Sequence, residues 1–157
     1  MASGDRYVIG VIADTHNRLR EDIVEALEGV DLIIHAGDVC GQRVIDELEL
    51  VAPTITVRGN NDHPEDFRNP LPPVLRLTRK GTSIKVVHKL RDVGQYDADI
   101  VITGHTHKPL VQQQGTALHL NPGSASLPRD PRGPSIALIE LEESEDPQVR
   151  LIFPRGN

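Results

Sequence analysis

Five apolar runs in this chain each end in side chains that can hold a cation. Asp14-x-His16 closes YVIGVIADTH, Asp38 closes DLIIHAGD and Asn60 closes PTITVRGN. His88 closes SIKVVH, and His105-x-His107 closes ADIVITGHTH. Together these are seven oxygen and nitrogen donors with no thiolate among them. Carboxylate and amide oxygens mixed with imidazoles suit Mn2+, Fe or Zn2+, and admit Mg2+ or Ni2+. Seven donors exceed the need of one catalytic ion that keeps an open position. They match two ions spaced ~3.5–4 Å apart and sharing a carboxylate, as in two-metal hydrolases. Any one of these segments alone reads as a polar strand end. For all five together, that reading needs independent accidents. In a strand, residues two apart share a side, so this spacing predicts that Asp14 converges with His16, and His105 with His107.

The elements that must position these donors follow from periodicity. The runs at 7–16, 31–38, 53–62 and 98–107 are near-continuous, which suits strands covered on both faces. EDIVEALEGV (21–30) puts Ile23, Val24, Leu27 and Val30 on one helical face, with Gly29 as a stop. GQRVIDELELV (41–51) does the same with Val44, Ile45, Leu48 and Val51. The alternation predicts a parallel sheet with right-handed crossovers, whose ligands lie at the carboxyl ends of the strands. After the proline-rich NPLPPV (69–74), residues 74–88 read as two strands joined at Lys80-Gly81. Residues 116–121, 135–143 and 148–153 read as further strands, and 121–134 as a long loop. The expectation is a second, largely antiparallel sheet packed face to face on the first. No linker or repeat divides residues 1–157, so one domain is expected.

Composition bounds the function classes. The chain has 157 residues, 38% hydrophobic and 25% charged, with a net charge of −6. That balance disfavours nucleic acid and anionic membrane surfaces as partners. A nuclease would call for a basic groove, which the composition does not offer. Cys40 is the single cysteine, so no intrachain disulfide forms. The start MASGDRYVIG lacks the basic and apolar regions of a signal peptide, and no run is long enough to span a bilayer. A cytoplasmic protein is expected, and a homo-oligomer is compatible with the sequence.

The ordered set Asp14-x-His16, Gly37-Asp38, Gly59-Asn60-x-Asp62, His88 and Gly104-His105-x-His107 resembles the calcineurin-like metallophosphoesterase superfamily. Asn121-Pro122-Gly123-Ser124 followed by Pro128-Arg129 is similar to its small single-domain branch of prokaryotic phosphodiesterases, which also contains a eukaryotic retromer scaffold subunit. The resemblance implies an α/β fold, a four-layer αββα sandwich of two mixed sheets flanked by helices. It implies a dinuclear centre of two divalent ions, Mn2+ first among the candidates. Asp14, His16 and His107 would bind one ion, Asn60, His88 and His105 the other, and Asp38 would bridge. Asp38, Asn60 and His105 are then the catalytic candidates, with Asn61 and Arg129 as substrate contacts. Two cations would lower the pKa of a shared water and hold it as hydroxide for in-line attack on a phosphate ester, such as a cyclic nucleotide or another diester.

The chain departs from the family pattern in three places. Asn61 stands where larger phosphoprotein phosphatases carry a histidine that assists the leaving group, which favours diesters and aryl phosphates. Lys89 replaces the usual glycine. The 17 residues from His88 to His105 leave little room for the helix commonly found there. The competing reading is a non-catalytic scaffold on the same fold, but scaffold members lose metal ligands and here every position is filled. His35 and His119 read as packed histidines, Cys40 as a small buried residue, and Asp62 as an orienter of neighbouring loops. Arg58, Lys89 and Arg129 read equally as phosphate contacts and as solvated charges.

Overall fold

Strand β1 (Tyr7–Ile12) occupies the middle of the first sheet in the computed structural model, which describes residues 5–154. On one side β1 pairs in parallel with β2 (Leu32–His35), which pairs in parallel with β3 (Thr54–Thr56). Helices α1 (Glu21–Ala26) and α2 (Gln42–Glu49) form the two crossovers. Both helices are shorter than their periodic patterns. The first closes at Leu27 and turns out through Gly29, whose φ of +89° suits glycine. Ile23 and Leu27 from the first helix, and Val44 and Leu48 from the second, pack on Ile12 and Ile33 of the sheet.

The second sheet runs β4-β5-β6-β8-β7. It contains β4 (Val74–Arg79), β5 (Thr82–Val87), β6 (Ile100–Ile102), β7 (Leu110–Gln114) and β8 (Ala117–Asn121). The β4–β5 hairpin turns at Lys80 and Gly81, with φ of +50° and +81°, the twist that two-residue hairpin loops require. This sheet is mixed rather than largely antiparallel, because β5–β6 and β6–β8 are parallel pairs. The expected strands near the end of the chain belong elsewhere. β9 (Ile136–Leu141) and β10 (Gln148–Ile152) extend the first sheet, β9 antiparallel to β1. β7 escaped sequence reading because LVQQQ is an exposed edge strand with no apolar alternation.

The inner faces of the two sheets meet in one core that includes Ile9, Val11, Ile34, Ile84, Val86, Ile100, Ile102, Leu120 and Ile139. Each such side chain contributes roughly 1.5–3 kcal/mol by burial. Two mixed five-stranded sheets with helices on the outer face of the first match the expected sandwich. On the outer face of the second sheet, the helical layer is reduced to a 3-10 turn at Leu90–Asp92. Val93, Tyr96 and Ala98 of that short segment cover Val87, Val101 and Ala117. Buried Lys85 holds the segment down: its Nζ donates to the carbonyls of Val93 (2.6 Å) and Gln95 (3.2 Å) and lies 3.3 Å from Asp97. Among the described residues, no helix is long and apolar enough to cross a membrane.

Candidate metal centre

The carboxyl ends of β1, β2, β3, β5 and β6 open at one edge of the sandwich, and the loops leaving them carry the seven donors. The ligand loops are not continuations of the strands. β1 ends at Ile12 and β6 at Ile102, and the residues beyond take left-handed backbone: Asp14 (φ 54°), His16 (48°), Asp38 (64°), His105 (76°) and His107 (63°). Strand alternation is therefore not what brings Asp14 and His16 together. Loop–loop hydrogen bonds do that: Asp14 N–H donates to Gly37 O (2.9 Å), His16 N–H to Asp38 O (3.1 Å) and Asn17 N–H to Val39 O (2.8 Å). Strand spacing predicts that His105 converges with His107, while the resemblance implies that they serve different ions; in the structure the two rings have different neighbours. His107 joins Asp14 and His16, while His105 faces Asn60 at 3.1 Å and His88 edge-on.

Two donor groups share Asp14. Asp14, His16 and His107 form one, and Asp14, Asp38 and His88 the other. His16 Nε2 lies 3.3 Å from His107 Nε2, and His88 Nε2 lies 3.6 Å from Asp38 Oδ2 and 3.8 Å from Asp14 Oδ1. Donors held ~2.0–2.2 Å from one ion stand ~3–3.6 Å apart, close to these spacings. Asp14 Oδ1 and His88 Nε2 are buried without any hydrogen-bond partner. Such orphans cost about 1–3 kcal/mol each unless something fills their need. The tautomers agree: His88 Nδ1–H donates to Ala36 O (2.8 Å) and His107 Nδ1–H to Leu127 O (2.6 Å), which turns both Nε2 atoms toward the other donors. The donor set fits divalent cations.

Close approach shapes this floor. Gly37 has a φ of +105°, and a Cβ there would meet His88 Nδ1 at 2.6 Å. A Cβ on Gly59 would collide with the side chain and backbone of Asp38. Asp62 organises the same turn, its Oδ2 accepting from the N–H groups of Asp38, Val39 and Gly59, and its Oδ1 from Cys40. The expectation that it orients loops had its signal in Gly-Asn-Asn-Asp, a short polar run that competes for backbone donors.

The loop after β8 reaches the centre too. Asn121 Nδ2 donates to Gly104 O and Thr106 Oγ1, while Ser124 and Ser126 donate to the Asp14 carbonyl. Ser124 belongs to the Asn121-Pro122-Gly123-Ser124 motif, whereas Ser126 has no signal in the sequence, because a small polar residue in a Pro/Gly loop resembles any turn. Buried His35 accepts from Gly37 N–H and pairs with Thr15, and burial holds its pKa down at about 3, so it is neutral. His119 pairs with Thr103 away from the donors. Cys40, expected as a small buried residue, is half-buried and lies 3.7 Å from His16 Nδ1; burial and the Asp62 charge push its thiol up to about 12, and it belongs to neither of the two donor groups. Asn61 turns both its N–H and its Nδ2 onto the Asp38 carboxylate (2.9 and 3.0 Å). Arg129 is exposed, and its N–H donates to His107 O.

Electrostatics link the donors to protons. Burial raises Asp14 from 3.8 to about 7, against the pull of His88. Burial disfavours the charge on His88, but Asp38, the Ala36 carbonyl and Asp14 prevail and raise its pKa. Without metal, Asp14 contributes stability that is fully present below 3.8 and lost as pH rises through about 7, because a buried charge then appears. A bound cation wants that charge, so the sign reverses. Mn2+ affinity is expected to fall at least about tenfold from pH 8 to pH 6, as protons compete at Asp14 and His88. Calorimetric titration at the two pH values checks this, and a pH-independent affinity would contradict it.

A family model for the calcineurin-like phosphoesterase superfamily domain matches residues 8–144. The chain belongs to that superfamily. Among calcineurin-like phosphoesterases, it is 34% identical over 157 aligned residues to a probable metallophosphoesterase of Methanocaldococcus jannaschii, covering 89% of this chain and 79% of that one. A solved archaeal phosphodiesterase superposes with a TM-score of 0.75 at 25% identity, over 92% of this chain and 98% of that one. Vps29 of Entamoeba histolytica, solved with zinc, shares the fold with a TM-score of 0.74 at 23% identity, over 94% of this chain and 99% of that one.

Proposed function

We propose that the protein is a dinuclear metal-dependent phosphodiesterase. The observation that carries this reading is the facing pair of orphaned buried donors, Asp14 Oδ1 and His88 Nε2, with Asp38 beside them. Superfamily membership supplies the phosphoesterase class. In this reading Asp14, His16 and His107 would hold one ion, Asn60, His88 and His105 the other, and Asp38 would serve both, with Mn2+ the first candidate metal. When bound, the ions supply Lewis acidity for phosphoryl oxygens and lower the pKa of a bound water toward neutrality.

The chain's own residues do the rest. Asp14, Asp38 and Asp62 put three carboxyl groups in one buried floor, which suits cations and disfavours a bare phosphate until those cations are present. The backbone bonds to Ala36 and Leu127 orient the rings of His88 and His107. Asn60 and His105 stand at the exposed rim, where an ester arrives. Asn61 is occupied with Asp38 and carries no proton for a leaving group, so esters with good leaving groups are favoured. The substrate is a small phosphate ester, a cyclic nucleotide or another diester, met in the cytoplasm. A scaffold role has less support, since every donor position is filled.

The test compares bis(p-nitrophenyl) phosphate with p-nitrophenyl phosphate across Mn2+, Mg2+, Zn2+ and Ni2+ after chelation. Turnover of the diester with Mn2+, exceeding that of the monoester and absent in chelator, is expected. No turnover with any metal overturns the proposal.

A further inference from the structure

A cavity of about 170 Å³ opens beside the Asn60–His88 edge of the centre. Arg58 from the loop after β3, and Lys89 and Arg91 from the 3-10 turn after β5, share its wall with those two donors and Asp92. Three cations stand there against one carboxylate in a chain whose net charge is −6. Across much of the remaining surface cations are neutralised: Arg6 and Arg150 by Glu140, Arg43 by Glu47, Arg68 by Asp46, Arg76 by Asp97 and Arg132 by Asp130. Among the described residues, the side chains of Arg58, Lys89 and Arg91 have no such partner, and Asp92 pairs with none of them. Gathering unpaired like charges costs Coulomb energy, which an anion placed between them offsets.

The size and the donors narrow that anion. Pockets for whole small molecules hold about 300–1,000 Å³, so this cavity suits one group of a ligand. Two guanidinium forks and an ammonium suit the several terminal oxygens of a phosphate monoester. The cavity shares Asn60 and His88 with the centre, so its occupant and the scissile phosphate belong to one molecule. Resting on the phosphodiesterase reading above, we infer that the substrate is a phosphate ester bearing a second, non-scissile phosphate, which Arg58, Lys89 and Arg91 bind. In the reaction, water adds to the scissile phosphorus, the ester oxygen leaves with a proton, and the second phosphate is unchanged.

A matched pair of substrates tests this on the Mn2+-loaded protein. Thymidine 5′-(p-nitrophenyl phosphate) and its 3′-phosphorylated counterpart release the same phenol and differ by one phosphate. The 3′-phosphorylated ester is expected to have a kcat/KM about tenfold or more higher, through KM, with the advantage shrinking as salt is added. The triple variant Arg58→Met, Lys89→Met, Arg91→Met should erase that advantage while leaving the plain ester within about twofold, which also reports a folded enzyme. Calorimetry provides a readout apart from turnover: thymidine 3′,5′-bisphosphate should bind the wild type about tenfold more tightly than thymidine 5′-monophosphate, and the variant equally. Equal kcat/KM for the two esters, or an advantage that survives in the variant, overturns this inference and leaves the phosphodiesterase reading standing. No hydrolysis of either ester overturns both.

Discussion

Asp38→Ala is expected to strip the protein of divalent metal and to lower diester turnover by more than about a hundredfold, beyond the 10–100-fold typical of residues that merely support a ligand. Asp38 Oδ2 lies 3.6 Å from His88 Nε2 and 3.8 Å from His16 Nε2, so one carboxylate stands between histidines of both donor groups. Burial opposes its charge, but His88 and the two bonds from Asn61 prevail and hold its pKa below the usual carboxylate range. It is thus a ready anion at any physiological pH. The residue also sits at φ +64°, which costs alanine about 1 kcal/mol or more. Asp38→Asn is therefore the cleaner variant, since asparagine tolerates that backbone and loses only the charge. Metal content after dialysis and aryl diester turnover are the measurements. Retention of both by Asp38→Asn would remove Asp38 from the centre.

Asp62→Ala is expected to be the most destabilising single change near the site. Its carboxylate accepts from four backbone N–H groups, those of Asp38, Val39, Cys40 and Gly59, at 2.7 to 3.2 Å. Each buried donor left unsatisfied costs about 1–3 kcal/mol, and water entering the gap recovers part of it. A loss of at least about 4 kcal/mol is expected, against the ~5–15 kcal/mol that a domain usually has. Urea denaturation of the metal-free protein measures it. A shift under about 1 kcal/mol would mean that the turn holds itself. Because two of the four donors belong to Asp38 and its neighbour, Mn2+ affinity should fall with stability in the same variant.

Much of this arrangement could be read from the sequence. The first sheet was legible because each parallel strand is a solid apolar run and each crossover has helical spacing, as with Ile23 and Leu27 on Ile12. The strand-end rule then led to the donors. What periodicity could not say was the pairing of the later strands. Ile136–Leu141 is apolar enough for either sheet, and only long-range pairing with Tyr7–Val11 assigns it. Leu110–Gln114 had no pattern, since an exposed edge buries little. The site was legible as residue types but not as conformation. Histidines two apart suggested a strand face, whereas His105 and His107 sit in left-handed turns that direct them apart. No single-residue propensity predicts that, because it is imposed by bonds from distant loops such as Asn121 to Gly104 and Thr106.

Those left-handed backbones have a consequence for engineering. Asp14, His16, Asp38, His105 and His107 each hold a conformation that glycine adopts without strain, and each side chain there is present in spite of it. Relaxing any one of them to glycine lowers local strain and at the same moment removes a donor. A screen for heat resistance on chelated protein should thus recover glycine at His16 or His105 more readily than at Asp14 or Asp38, whose carboxylates accept backbone N–H groups. A screen with Mn2+ present should not, because an ion bound as proposed would favour the residues that the bare fold penalises.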